Sequence, residues 1–196
     1  MNQTSISLLD RLHQDPQEAD WRRLVEIYTP LIRTWLRKYT VPTTDTDDLV
    51  QEVIAVLVRR LPDFEHNSRT GAFRTWLRSI TFNCLRDFWK AKRIKPQPGG
   101  GSDFQDFLQQ MADPNSFASK LWDAEHDKFV LRRLMTILKG EFSDTTWRAF
   151  ELVALEGKSA DEVAEMLGIS TNAVFIAKSR ILTRLRQEAK GMLEEE

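Results

Sequence analysis

Lys158-Ser159-Ala160-Asp161-Glu162-Val163-Ala164-Glu165-Met166-Leu167-Gly168-Ile169-Ser170, followed by Thr171-Asn172-Ala173-Val174, is the stretch that decides the fold of the C-terminal part of this chain. Ser159 can cap a short helix, and Glu162, three positions on, completes a reciprocal capping box. Val163, Ala164 and Leu167 recur at helical spacing and point inward, with Ala164 small where a second helix must cross closely. Gly168 supplies the left-handed residue that ends the helix. Ser170 caps the next one. Two helices joined by so tight a turn make a helix-turn-helix, whose second helix offers its first turns to a DNA major groove. An ordinary helical hairpin in a bundle would share the turn and the caps, but it has no need of the basic flank that follows.

On a helical wheel that second helix has two faces. Val174, Ala177, Ile181 and Leu185 face the domain, while Asn172, Phe175, Ile176, Ser179, Thr183 and Arg186 face away, flanked by Arg180. Asn, Ser and Arg can read base edges or phosphates, and Phe or Ile can meet a thymine methyl. Thr171 opens the helix beside them. Arg180, Arg184, Arg186 and Lys190 make its end basic, as phosphate contact requires. Lys178 falls near the apolar side, where a lysine must snorkel.

Upstream, helical period persists. Leu24, Ile27, Leu31, Trp35 and Leu36, with Tyr28 and Ile32, form one apolar stripe, and Leu49, Val50, Val53, Ile54 and Leu57 form another. Thr44-Asp45-Thr46-Asp47 offers capping oxygens and acids to the start of the second of these helices, and Pro62 ends it. A third helix is expected from about Gly71 to Lys92. Lys95-Pro96-Gln97-Pro98-Gly99-Gly100-Gly101-Ser102 cannot continue it, and Asp113-Pro114-Asn115-Ser116 is a second break. Residues 96–119 therefore read as a flexible linker. Helical period resumes at Trp122, Phe129, Leu134, Ile137 and Leu138. The expected fold is all-α: two small helical domains, 1–95 and 120–196, joined by that linker.

Composition narrows the function. The chain has 196 residues with a net charge of −1, and a single cysteine, Cys84, which excludes an internal disulfide and a thiolate-rich metal site. His13, His66 and His126 show no ligand spacing. With no long apolar run and no secretion signal at its start, the chain is expected in the cytoplasm, with no membrane partner. The neutral total hides an uneven distribution. From Arg69 to Lys95 there are eight basic residues against the single acid Asp87, whereas from Val41 to Glu65 six acids face Arg59 and Arg60.

The basic helix pairs two stripes. Phe73, Trp76, Leu77, Ile80, Cys84 and Phe88 make a core face, on which Cys84 is a packing residue. Arg78, Phe82, Arg86, Trp89 and Arg93 alternate charge and aromatic surface on the opposite face, a combination suited to a phosphate backbone with unstacked bases. The alternative is that Phe82 and Trp89 pack on other elements and the arginines are merely solvated. On the acidic helix, Asp48, Gln51 and Glu52 share one face. Such acids can be a solvated surface, a dock for a basic partner or, with Asp47, the start of a metal-dependent nuclease site, although no second acidic or histidine cluster completes one.

The segment Asp47-Asp48-Leu49-Val50-Gln51-Glu52-Val53 resembles the one with which extracytoplasmic-function sigma factors grip the clamp helices of bacterial core RNA polymerase. Phe73-Arg74-Thr75-Trp76-Leu77, then Ile80, Asn83 and Asp87, then Lys90 to Arg93, is similar to that family's promoter-opening helix. Phe64 to Thr70 falls where the family has a loop that captures a flipped-out base, and Gly157 to Leu185 is similar to its minus-thirty-five reader. The resemblance implies a non-enzymatic subunit without a cofactor, whose partners are core polymerase, promoter DNA and an anti-sigma factor. It implies a region 2 in 1–95, with Asp47, Asp48, Leu49, Gln51 and Glu52 on polymerase. His66, Asn67, Arg69, Arg74, Arg78, Phe82, Arg86, Trp89, Lys90 and Arg93 would lie on the minus-ten element. It implies a region 4 in 120–196, with Thr171, Asn172, Phe175, Ile176, Ser179, Arg180 and Arg186 on the minus-thirty-five element. Phe175, Ile176 and Ala177 depart from the family's polar and basic residues, which leaves the base sequence read by this chain its own. A helix-turn-helix regulator acting without polymerase is the competing reading, and it leaves the acidic and the basic, aromatic helices without a purpose.

Overall fold

The computed structural model describes residues 7–39, 41–65, 71–92, 113 and 115–193. Among them are eight helices and no strand, the all-α class expected. The chain divides into two compact units whose main segments are Leu8–Leu131 and Arg132–Ala189.

The first unit holds α1 (Leu8–Gln14), α2 (Glu18–Arg37), α3 (Thr43–Arg60) with a 3-10 turn at Leu61–Asp63, and α4 (Ala72–Lys92). It also takes the first part of α5 (Phe117–Lys139). Its core is made by the stripes that the sequence places inside: Leu24, Ile27, Tyr28, Leu31, Ile32, Trp35 and Leu36 of α2 meet Leu49, Val50, Val53 and Leu57 of α3 and Phe73, Leu77, Ile80 and Cys84 of α4, all buried. Asp20 ties α1 to the start of α2: its carboxylate accepts from Arg11 Nε at 2.7 Å and from the Gln17 backbone N–H at 3.3 Å. Phe64 is held between Phe73 (5.6 Å) and Trp76 (4.6 Å), and its carbonyl lies 2.9 Å from His13 Nε2. That anchors the chain just before residues 66–70, which lie outside the described residues.

The start of α3 differs from expectation. The N-cap is Pro42, and no side chain caps the helix. Because the chain enters one turn early, Thr46 Oγ1 instead donates back to the Pro42 carbonyl at 3.0 Å. Asp45 pairs with Lys92 at 3.0 Å and Asp47 with Arg33 at 2.9 Å. The acids serve as links to α4 and α2 rather than as caps.

The second unit holds the last part of α5, α6 (Asp144–Phe150) with a wider turn at Glu151–Leu155, α7 (Ala160–Leu167) and α8 (Thr171–Ala189). One cluster of its core is Ala149, Leu152, Val163, Ala164, Val174 and Ala177, and Leu134, Leu138, Trp147, Phe150, Ile181 and Leu185 are buried as well. The local grammar is realised as read. Ser159 and Glu162 form the capping box, Gly168 closes α7 at φ +64°, and Ser170 Oγ accepts from the Ala173 N–H at 3.1 Å. The division between the units falls inside α5, whereas the breaks in sequence texture lie upstream of it. Trp122 and His126, on the first part of α5, are buried within the N-terminal unit.

Candidate functional site

The recognition helix presents the face its wheel defines. Val174, Ala177, Ile181 and Leu185 are buried. Asn172, Phe175, Ile176, Ser179, Arg180, Thr183 and Arg186 are exposed, Phe175 by 57% and Ile176 by 48%, which is unusual for large apolar side chains and leaves them free to meet a ligand. Thr171 Oγ1 donates to Asp161 Oδ1 at 2.9 Å, fixing the helix start against α7. Arg184 is not part of the basic surface that the sequence suggests. Its guanidinium pairs with Glu141 at 2.9 Å and with the fully buried Glu188 at 2.8 Å, so it holds the end of α8 to the turn between α5 and α6.

On α3, Asp47, Asp48, Gln51 and Glu52 are exposed, while Leu49 is 2% exposed and belongs to the core. The face expected to dock on polymerase is thus polar, with Leu49 behind it in the core rather than at the surface.

The face expected to run along α4 through Arg78, Phe82, Arg86 and Trp89 does not form one surface. Arg74 (6%), Arg78 (3%) and Trp89 (1%) are buried, and with Thr81 and Leu85 they make a second inward stripe beside Phe73, Leu77, Ile80 and Cys84. A wheel assigns one flank of an amphipathic helix to solvent; here elements lie against more than one flank, and the buried arc is about twice as wide as a single contact needs. The polar residues left outward on α4 are Thr75, Ser79, Asn83, Asp87, Lys90 and Lys92, with Phe82 and Arg86 half-buried at the edge. Arg86 Nε lies 3.3 Å from Asp87. Of the other expected minus-ten residues, His66, Asn67, Arg69 and Arg93 lie outside the described residues. Cys84 is buried, and burial, reinforced by the nearby charges of Glu52 and Asp87, pushes its thiol up to about 11, as befits a packing residue.

What covers Arg74 and Arg78 is a cluster missed by sequence reasoning. Asp127 of α5 accepts from Arg74 Nη1 at 2.7 Å, and Asp123 accepts from Arg78 Nη1 at 3.2 Å and pairs by charge with Arg74 Nε at 3.1 Å. Burial lowers the Arg78 pKa, with Asp123 opposing it and the Arg74 charge adding to it. Burial raises Asp123 despite its two cationic neighbours. It acts the same way on Asp127, but hydrogen bonds from His126 and Arg74 outweigh it and hold that carboxyl below its ordinary value. His126 is fully buried beside Tyr28, ring centroids 5.8 Å apart, and its Nδ1–H donates to Asp127 at 2.9 Å. Burial lowers its pKa, although the Asp127 hydrogen bond pulls the other way.

A histidine kept neutral by burial makes stability pH-dependent. Its unfolded form takes up a proton below about 6.5, its folded form only at lower pH, so its contribution is complete above that value and is lost as pH falls toward the folded pKa. The Asp127 contribution has the same sign but is lost only in stronger acid. Melting temperature should fall between pH 7 and pH 5 (roughly the histidine range), and His126→Gln should flatten that part of the profile. An unchanged slope in the variant would remove His126 from the account.

Against this geometry, comparison with known proteins gives a consistent answer. The sigma-70 region 2 family matches residues 24–94, and the sigma-70 region 4 family matches residues 147–185. The chain is 28% identical over 138 residues to RNA polymerase sigma factor CnrH of Cupriavidus metallidurans, covering 70% of each. It is 26% identical over 189 residues to RNA polymerase sigma factor NccH of Alcaligenes xylosoxydans xylosoxydans, covering 94% of this chain and 95% of that one. A solved structure of CnrH in complex with the cytosolic domain of CnrY aligns with 91% of this chain and 92% of that one, at 22% identity and a TM-score of 0.36. No helix among the described residues is long and apolar enough to cross a membrane. With the region 2 match lying on α2 to α4 and the region 4 match on the helix-turn-helix, the chain belongs to the extracytoplasmic-function sigma factors, which bind core RNA polymerase and direct it to promoter DNA to begin transcription.

Proposed function

We propose that the two units divide promoter recognition between them, with the residues of each task on separate helices. Asp47, Asp48, Gln51 and Glu52 of α3 dock on core polymerase. Phe82, Arg86 and Lys90 of α4, together with the loop carrying His66, Asn67 and Arg69, hold the separated minus-ten strand. Arg74, Arg78 and Arg93 add phosphate contacts when they are accessible, and Trp89 supports the helix from within. Thr171, Asn172, Phe175, Ile176, Ser179, Arg180 and Arg186 read the minus-thirty-five duplex. The chain itself makes and breaks no bond, uses no cofactor and acts in the cytoplasm, where polymerase and DNA are. Residues 96–119 tether region 2 in 1–95 to region 4 in 120–196. An anti-sigma factor belongs to the same reading, and the complex of the relative CnrH with CnrY gives it a precedent of a bound partner.

The observation that carries this reading is the row of exposed side chains on α8, behind which Val174, Ala177, Ile181 and Leu185 are buried. Arg180→Ala or Arg186→Ala is expected to weaken binding on all duplexes and to reduce the salt slope by about one each. Phe175→Ala with Asn172→Ala is expected to change the preferred sequence instead, because thymine methyls and adenine edges are what those side chains can read. Selection from random duplexes measures both effects. An identical preference in the double variant and the parent would move base reading away from this face.

A further inference from the structure

We propose that Ser119–Asp127, on the first two turns and more of α5, is an internal ligand for Arg74 and Arg78 and competes with promoter DNA for them. The proposal rests on the reading of these arginines as minus-ten contacts. Three observations carry it. The first is the chemistry of the contact. The two guanidinium groups of α4 meet the carboxylates of Asp123 and Asp127 at 2.7–3.2 Å, and Arg78 also reaches the Ser119 carbonyl at 3.4 Å. A carboxylate offers a guanidinium fork the same pair of anionic acceptors that a phosphate does. The charges that would meet a DNA backbone are already met.

The second observation is that the segment is seated along its length. The ring of Trp122 lies 4.0 Å from that of Trp35 and is 1% exposed. His126 lies against Tyr28, and Lys38 closes the rim on Glu125 at 2.6 Å. Aromatic contacts position the helix, and its acids then fall on the arginines. DNA cannot reach Arg74 or Arg78 while it is there.

The third observation concerns reversibility. The seat leaves Trp35 Nε1, Trp122 Nε1, Tyr28 Oη and His126 Nε2 buried with no hydrogen-bond partner. Each would regain a partner in water, so release of the segment is compensated in a way that unfolding of an apolar core is not. A site that is competent only in the released fraction binds its ligand more weakly by that fraction. The free chain is therefore held to weak DNA binding without any second protein.

The test uses the whole chain, with no polymerase, and a fluorescent single-stranded oligonucleotide of random sequence. Asp123→Asn with Asp127→Asn should raise its affinity by about tenfold and steepen the salt dependence by about 1.4, the value for two freed phosphate contacts on a single strand. Adding Arg74→Gln and Arg78→Gln should cancel both gains. Arginine labelling by phenylglyoxal, read by mass spectrometry, runs beside it. In the parent Arg74 and Arg78 should be protected while the exposed Arg22 reacts, and in the Asn variant they should react. If they are equally protected in parent and variant, or react freely in the parent, the internal ligand is overturned and the minus-ten reading stands. If they become reactive but the oligonucleotide gains nothing, the DNA role of these arginines fails and the proposal fails with it. Should the double Asn variant not fold, Lys38→Gln, which removes the rim pair while lowering the positive charge of the chain, must raise affinity in the same sense. A loss of affinity there overturns the proposal.

Discussion

Replacing Trp89 by alanine is expected to cost the N-terminal unit about 3–5 kcal/mol of stability, and to abolish promoter opening for that reason alone. The indole is 1% exposed and is among the largest fully buried side chains of the protein. Its removal leaves a cavity near the end of α4, lined by groups that lose their dispersion contacts outright. A loss of that size is a large share of the stability of a small domain. Urea denaturation followed by helical signal measures it, and a shift below about 1 kcal/mol would mean that Trp89 is not packed as the structure has it. The consequence for function is that this residue is a poor probe of strand melting: premelted promoter DNA should not rescue it. Arg86→Ala and Lys90→Ala are the informative substitutions. Lys90 is exposed and Arg86 is half-buried at the edge of α4, with the neighbouring Asp87 as its charge partner, so stability should change by no more than about 0.5–1 kcal/mol, while permanganate reactivity of minus-ten thymines in the polymerase complex falls. Premelted DNA should restore much of their activity.

The contrast between α4 and α8 explains how much of the site was legible. On α8 the residues that decide the outward face are close in sequence: caps at Ser159 and Ser170, a turn at Gly168, and apolar positions within a few turns. Local grammar and period therefore sufficed. On α4 the deciding neighbours are remote. Asp123 lies 45 residues from Arg78 and Asp127 lies 53 from Arg74. A wheel drawn for α4 alone has no way to show that its second flank is covered, and an arginine stripe then looks solvated. The same reason hides the role of Arg184, whose partner Glu141 is 43 residues away, although Glu188, four positions on, was visible as an ion-pair spacing. The signal for the covering segment was present in part. Trp122 and His126 recur four apart, and Asp123 and Asp127 recur four apart beside them. Period alone marks that as a helix with one apolar and one acidic edge, but it does not name the arginines those acids meet. The expected capping at Thr44 to Asp47 failed more simply: Pro42 begins the helix early, and the acids were drawn to Lys92 and Arg33.

Reversing the charge of Asp48 and Glu52 together, as Asp48→Lys with Glu52→Lys, is expected to weaken association with core polymerase on the order of 100-fold or more, because like charges brought together at an interface cost several kcal/mol. The two carboxylates lie one helical turn apart on the exposed side of α3 with Gln51 beside them, and neither is ion-paired among the described residues. This separates them from their neighbours. Asp45 and Asp47 are tied to Lys92 and Arg33, and so hold α3 against α4 and α2. Leu49 and Val50, behind them, are in the core. A pair of exposed acids with no internal partner stabilises nothing within the unit, so its reversal should leave helicity and melting temperature near the parental values and should leave duplex binding by α8 intact. Asp47→Lys is the contrasting control: it breaks the link to Arg33, and its effect on polymerase binding should be smaller than that of the double variant. Titration of labelled core polymerase at two salt concentrations provides the measurement, with the parental complex losing affinity at high salt as its steering charges are screened. Equal binding by the double variant and the parent at low salt would take the polymerase dock off α3 and leave its acidic face as solvated surface.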